Sequence, residues 1–339
     1  MSGGWLSRAV SHDLPRSRWL ACLLVGLLLA LVFTPFLFPG VKALNVAAKV
    51  LVFVVLVASF DLLLGYTGIV SFAHTMFFGI GAYGLAIAFS QLGPTWSALG
   101  IGLAAGLGLS GLLAWVIGLF SLRVRAIFFA MITLAVASAF QTLASKLSDF
   151  TGGEDGLQAV PRPRFFGVLD TESTLVFYYV CLLAIGFGFW LIYRTVHSPF
   201  GQVLRAIRDN EARAKSLGYQ VNRYKLLAFV LSASLAGLAG AMKVLAFQLA
   251  TLTDVSWTTS GEALLVSIVG GLNTMLGPIV GAVIMGSMEH YLASFAEWVL
   301  IIQGAVFVVV VMVFRKGVVG QLRNVLPWSV RSTPAKEST

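Results

Sequence analysis

Few residues in this chain are equipped for chemistry. Of 339 residues, 23 are Lys or Arg, 14 are Asp or Glu and 4 are His. Fewer still stand in or beside long apolar runs: Lys49, Asp61, His74, Lys243 and Glu262. No HExxH spacing, paired-carboxylate or Ser/His constellation supports a membrane-embedded enzyme, so no catalytic residue is expected. Cys22 and Cys181 both lie in apolar segments, which argues against a disulfide or a Cys-based metal site, and no cofactor or metal is expected. Lys49 and Lys243 sit near segment ends and are expected to snorkel outward. Asp61 lies near one end of its segment, Glu262 at the start of another. For His74, deeper in its run, a packing role and a path-lining role both stand. A proton- or ion-driven carrier places carboxylates or His relays near mid-membrane, so this scarcity counts against a secondary carrier or channel.

The elements that must position these groups are membrane spans. The chain is 58% hydrophobic and 11% charged, with mean hydropathy +0.91, against about a quarter charged in soluble domains. Charge this sparse cannot cover a water-facing surface. The fold expected is all-α and polytopic, with about eight to ten transmembrane helices. Segments of roughly 20 apolar residues fall near 19–38, 44–64, 69–90, 96–119, 126–144, 174–193, 226–247, 262–272, 277–294 and 297–314. The 19–38 run exceeds a signal-peptide core and reads as a first span. The 69–90 run is rich in glycine and polar residues, and 262–272 is too short to cross as a plain helix.

Basic residues partition cleanly. Arg8, Arg16 and Arg18 lie in the 1–18 tail, Arg123 and Arg125 in a turn. Residues 198–225 hold six more, and Arg315, Lys316, Arg323, Arg331 and Lys336 surround and follow the last span. With ten crossings all fall on one side, the cytoplasmic one, with both termini. The 145–173 loop, carrying Asp149, Glu154, Asp155, Asp170 and Glu172, falls on the other. The net charge of +9 thus marks a membrane face, and no nucleic-acid partner is needed. The domains expected are a cytoplasmic tail at 1–18, a membrane domain at 19–314 and a basic tail at 315–339.

The 198–225 segment, "SPFGQVLRAIRDNEARAKSLGYQVNRYK", exceeds a topogenic loop. Ser198 and Pro199 are a helix start. Phe200, Val203, Leu204 and Ile207 repeat at helical spacing, Ala214 and Leu217 extend the stripe, and Gly218 closes it. A basic loop touching anionic membrane lipid needs no acidic groups such as Asp209 and Glu211, whereas mixed charge beside an apolar stripe suits docking in a groove of another protein.

Small residues mark a second feature. Gly102, Gly106 and Ser110, and likewise Ala233, Gly237 and Ala241, form ridges for close helix packing. In 69–90, Gly79, Gly81 and Gly84 accompany Ser71, His74, Thr75 and Tyr83, just after Gly65 and Gly68. A broken helix lining a pathway accounts for both glycines and polar groups. The short 262–272 segment, ending Gly270-Gly271, holds a comparable place in the second half, as paired interruptions between inverted repeats would.

Several stretches resemble the permeases of branched-chain amino acid ABC importers: "GYTGIVSFAHTMFFGIGAYG" at 65–84, "FFAMITLAVAS" at 128–138, "TGGEDGL" at 151–157, and 198–225 with the helix after it. The order is the same, and the likeness spans roughly 40–315. It implies an inner-membrane subunit that pairs with a homologous permease, two cytoplasmic ATP-binding subunits and a periplasmic solute-binding protein. The implied coupling residues are Phe200, Leu204, Ile207, Arg208, Glu211 and Gly218. The implied path takes in Ser71, His74, Gly79, Gly81, Tyr83, Thr133, Gly270 and Gly271. Gly152, Gly153, Asp155 and Gly156 would serve binding-protein docking or gating. The Glu211-Ala212-Arg213-Ala214 run departs from the family's Glu-Ala-Ala pattern, with Arg at the third place and Gly218 one residue late. No GxxxxGK[ST] loop occurs, so ATP hydrolysis must come from a partner. The cargo implied is a hydrophobic amino acid, with urea or short amides as the alternative.

Overall fold

The computed structural model describes residues 41–124, 126–161, 174–292, 298–314 and 317–325, with Gly26 and Phe33. The tail at 1–18, nearly all of the expected 19–38 span and residues 326–339 lie outside the described residues. In chain order the helices are Val41–Thr67 (α1), His74–Leu92 (α2), Trp96–Ser121 (α3), Ala126–Lys146 (α4), Thr174–His197 (α5) and Pro199–Asp209 (α6). Glu211–Ser216 (α7), Val221–Phe247 (α8), Trp257–Gly270 (α9), Gly277–Leu292 (α10), Val299–Val313 (α11) and Gly317–Val325 (α12) follow. No strand occurs among the described residues, only an isolated bridge between Leu157 and Ala250. Each expected segment from 44 to 314 contains a helix among its described residues. Among the described residues, seven stretches are long and apolar enough to cross a membrane: most or all of α1–α5 and α8, and Ile301–Gln321.

The break expected in 69–90 falls at the start of that segment, where residues 68–73 are non-helical. α2 runs unbroken from His74 to Leu92, and the interruption lies just before it. Gly68, at φ 75°, ends α1 in a conformation that glycine adopts without strain. A second interruption follows α9, where Gly271 (φ 114°) and Asn273 (φ 60°) turn the chain back into α10. At 14 residues, α9 is only about 21 Å long, short of the ~30 Å hydrocarbon layer.

α1, α2 and α8 form the centre, and α3, α4 and α5 leave apolar faces exposed, including Phe120, Ile127 and Leu183. The centre is tight because glycines let backbones touch. A Cβ on Gly81 would overlap the Gly237 carbonyl of α8, and one on Gly84 would stand 3.1 Å from Gly106 Cα of α3. Ser110 Oγ donates to the Phe77 carbonyl at 3.1 Å. The ridges read from the sequence therefore pack as expected. Gly81 joins them.

Candidate functional site

The amphipathic segment folds as two helices. Ser198 caps α6 by accepting from Gly201 N–H, with Pro199 in the first turn. Asn210 then breaks the expected continuous helix and caps α7, its Oδ1 accepting from Arg213 N–H at 2.9 Å. Gly218, at φ 89°, closes α7 as expected: its N–H reaches the Lys215 carbonyl and the Tyr219 N–H the Ala214 carbonyl.

The apolar stripe was expected to face a partner, and it faces this chain instead. Leu204 is buried with Ala58, Leu62 and Tyr66 of α1, Ile192 and Val196 of α5, and Ala228 of α8. Ile207 is buried with Ala214 and Val221, and Phe200 stacks on Tyr224. Helical periodicity reveals an apolar face without saying whose surface covers it. Left exposed are Leu217 (70%) and Tyr219 (40%), which flank Gly218. Arg208 donates to the Gly65 carbonyl of α1. Arg205 lies over the Tyr66 ring, 5.1 Å from its centroid. Glu211 pairs with Lys215 (2.9 Å) and Lys225 (2.8 Å). Lys225 and then Lys215 hold its carboxyl below the ordinary glutamate value. These three groups, with Arg123, Ile69 and Phe129, line a cavity of about 300 Å³ between α7, α8 and the α3–α4 turn.

The residues expected along a path fall into two sets. Gly79 and Gly81 are packing positions: a Cβ on Gly79 would stand 2.5 Å from Val255 Cγ2. Gly270 likewise lets the Gly277 backbone close the second interruption. The polar set clusters around the first interruption. His74 Nε2 lies 2.9 Å from Ser59 Oγ, and its ring meets Phe60 edge-on at 5.0 Å. Thr133 of α4 accepts from Phe72 N–H at 3.1 Å, pinning the interruption. Thr75, next to His74, bonds Ser260 Oγ at 2.6 Å and donates to the Ser256 carbonyl at 2.7 Å, joining α2 to the start of α9. Ser71 Oγ and His74 Nδ1 there, and Tyr83 Oη further along α2, are buried with no hydrogen-bond partner among the described residues. His74 both packs and keeps a free ring nitrogen.

At the other end of the bundle, "TGGEDGL" forms a compact turn. Gly152, Gly153 and Gly156 all have positive φ, and Asp155 is exposed in a short 3-10 turn between them. Leu157 and Ala250 exchange two backbone bonds of 2.9 Å, and Val160 N–H reaches the Gln248 carbonyl at 2.9 Å. Beside this clamp Lys243 does not snorkel. Its Nζ lies 2.6 Å from Asp254 Oδ1 and 2.5 Å from Oδ2, with 17% and 10% of the two side chains exposed. The sequence reading missed this pair and the Ser59, Ser256 and Ser260 partners. A hydroxyl in an apolar run signals a buried bond, but not its partner.

A glycine-tight bundle of membrane-length helices, with polar groups bonded between helices, defines a polytopic α-helical membrane protein built around a helix-lined interior. Residues 42–311 match the family described as "Branched-chain amino acid transport system / permease component". The chain belongs to that family of ABC transporter permeases. It is 25% identical over 315 residues to the high-affinity branched-chain amino acid transport system permease protein LivM of Salmonella typhimurium, covering 86% of this chain and 73% of the relative. The Escherichia coli LivM matches to the same extent. The autoinducer 2 import system permease protein LsrC of Klebsiella pneumoniae is 32% identical over 215 residues, 60% of this chain and 58% of that one. No solved structure matches the chain.

Proposed function

We propose that this chain is the membrane subunit of an ATP-driven importer for branched-chain or other hydrophobic amino acids in the bacterial inner membrane. It works with a homologous second permease, two cytoplasmic ATP-binding subunits and a periplasmic solute-binding protein, and keeps both termini in the cytoplasm. The observation that carries this reading is the family match over 42–311, joined by LivM likeness over most of the chain. The folded 198–225 segment supports the coupling part. Its inner face is anchored on α1, α5 and α8, and its outer face offers Leu217 and Tyr219 around a left-handed glycine to the ATP-binding subunits. The buried Ser71 and His74 atoms that lack partners support a polar path beside the first interruption, since each costs about 1–3 kcal/mol while unsatisfied.

The test is reconstitution of this chain with its four partners in vesicles, followed by ATP-dependent uptake of labelled leucine, urea, ribose and autoinducer 2. Uptake of leucine alone is expected. ATP-dependent uptake of another solute with none of leucine would overturn the cargo, and uptake without ATP would overturn the importer.

A further inference from the structure

Asp61 is the buried carboxylate that the proposed function leaves without a task. It lies in α1, 2% exposed, one turn before Gly65. Its Oδ1 accepts from the Asn273 backbone N–H at 3.1 Å, across 212 residues of sequence. Asn273 stands at positive φ in the interruption between α9 and α10, so α1 holds that interruption by a side-chain to backbone hydrogen bond. Gly65 makes the approach possible: a Cβ there would overlap the Asp61 carboxylate and stand 2.8 Å from Asn273 N. The Gly65 carbonyl in turn accepts from Arg208 of α6. Met275, two residues beyond Asn273, packs into the same apolar cluster as Leu204, Leu62 and Tyr66. Polar and apolar contacts thus run side by side from α6, through the end of α1, to the second interruption.

We propose that Asp61 is a positioning residue that links the coupling helix α6 to the α9–α10 interruption through Gly65 and Asn273. A displacement of α6 moves Arg208 and Leu204, both seated on the last turns of α1. The turn carrying Asp61 and Gly65 moves with them. The α9–α10 hairpin then follows, because its interruption is tied to that turn. Thr274 and Gly271 keep the hairpin's own bend intact (Thr274 Oγ1 to the Gly271 carbonyl, 2.7 Å), so the interruption shifts as a unit.

This inference rests on the coupling role proposed above, and its test has one arm that does not. In the reconstituted importer, Asp61→Ala is expected to lower solute moved per ATP hydrolysed by at least about fivefold, the low end of ordinary coupling between sites. Asp61→Asn keeps an oxygen acceptor for Asn273 N–H and is expected to recover most of the loss. Uptake and hydrolysis falling in equal proportion would mean a purely structural role and overturn the link. So would a normal ratio in Asp61→Ala. The second arm is amide hydrogen exchange at 271–276 in the complex. Arg208→Ala alters only α6, yet is expected to raise exchange there. Unchanged exchange in Arg208→Ala overturns the link, even where Asp61→Ala does not fold. If the wild-type complex moves no amino acid, the cargo reading fails while the exchange arm still decides the link.

Discussion

The two ends of the helical core are held by different means. At the 151–160 end, paired backbone bonds between Leu157 and Ala250 and the Lys243–Asp254 ion pair clamp the outer turn to the top of α8. At the α6–α7 end, single bonds reach between elements: Arg208 to Gly65, Asp61 to Asn273, Glu211 to Lys225. Between them lies the glycine junction of α2, α3 and α8, where backbone meets backbone. A clamped end and a singly bonded end on one rigid centre suit a membrane protein driven from one side. Rigid packing transmits displacement, and few-bond contacts allow it.

The largest effect is expected at the centre, which both ends need. Gly81→Leu puts a side chain where the Gly237 backbone runs. Overpacking against side chains costs about 1–3 kcal/mol, and here the neighbour is main chain, which cannot rotate away. The yield of folded, detergent-stable protein should collapse, with Gly81→Ala intermediate. A folded Gly81→Leu protein that assembles but does not transport would return Gly81 to the path.

Next is Ile207→Asp, at the singly bonded end. Losing the burial of Ile207 costs about 1.5–3 kcal/mol, and a buried charge adds to that. Because Ile207 is covered by Ala214 and Val221 of its own chain, the loss should appear in the permease alone, as early unfolding of 198–225 in limited proteolysis. Leu217→Asp should leave that fold intact and reduce co-purification of the ATP-binding subunits. An Ile207→Asp protein that is stable alone but sheds those subunits would restore the stripe as the docking face.

At the clamped end, Lys243→Met leaves the Asp254 carboxylate without its ion-pair partner. Breaking a buried pair from one side costs about 3–5 kcal/mol, and the partial exposure of both groups places this one at or below the bottom of that range. Lys243→Met with Asp254→Leu should recover much of the loss in thermal unfolding. Equal stability of the single and double variants would show that the pair does not hold the clamp.

Much of this was legible in the sequence, for identifiable reasons. Hydropathy runs gave the helices from 44 to 314 because each buries or exposes an apolar surface of membrane length. Ser198-Pro199 and Gly218 marked the ends of the coupling segment because caps are local chemistry. Asn210 was equally local and went unread: an Asn followed by Glu is a helix start, and it splits the segment. Glycine spacing is the same for a lined path and a tight junction, so the contact of Gly81 with the Gly237 backbone was not legible from it. The Asp61–Asn273 and Lys243–Asp254 bonds depend on how chain returns bring distant residues together, and no periodicity encodes that.

The smallest effect concerns Glu211, which ties α7 to the start of α8. Lys225 and Lys215 lower its pKa from the ordinary 4.5. A carboxylate with a lower pKa in the folded state stabilises the fold above the unfolded value, and that stabilisation is lost as pH falls through the folded one. The lysines differ: Lys225 is 14% exposed and Lys215 59%. Lys225 therefore carries most of the interaction, and water screens the rest. Pairs this open to solvent contribute at most about 1 kcal/mol. Glu211→Gln should accordingly lower stability by a few tenths of a kcal/mol at pH 7, seen as a small shift in thermal unfolding. The difference from the parent protein should shrink as pH falls below 4.5 and on adding salt, because both remove the charge attraction. A difference that persisted at pH 3 would come from packing of the side chain. The α7–α8 contact would then belong with the clamped end, and the contrast between the two ends would fail at this point.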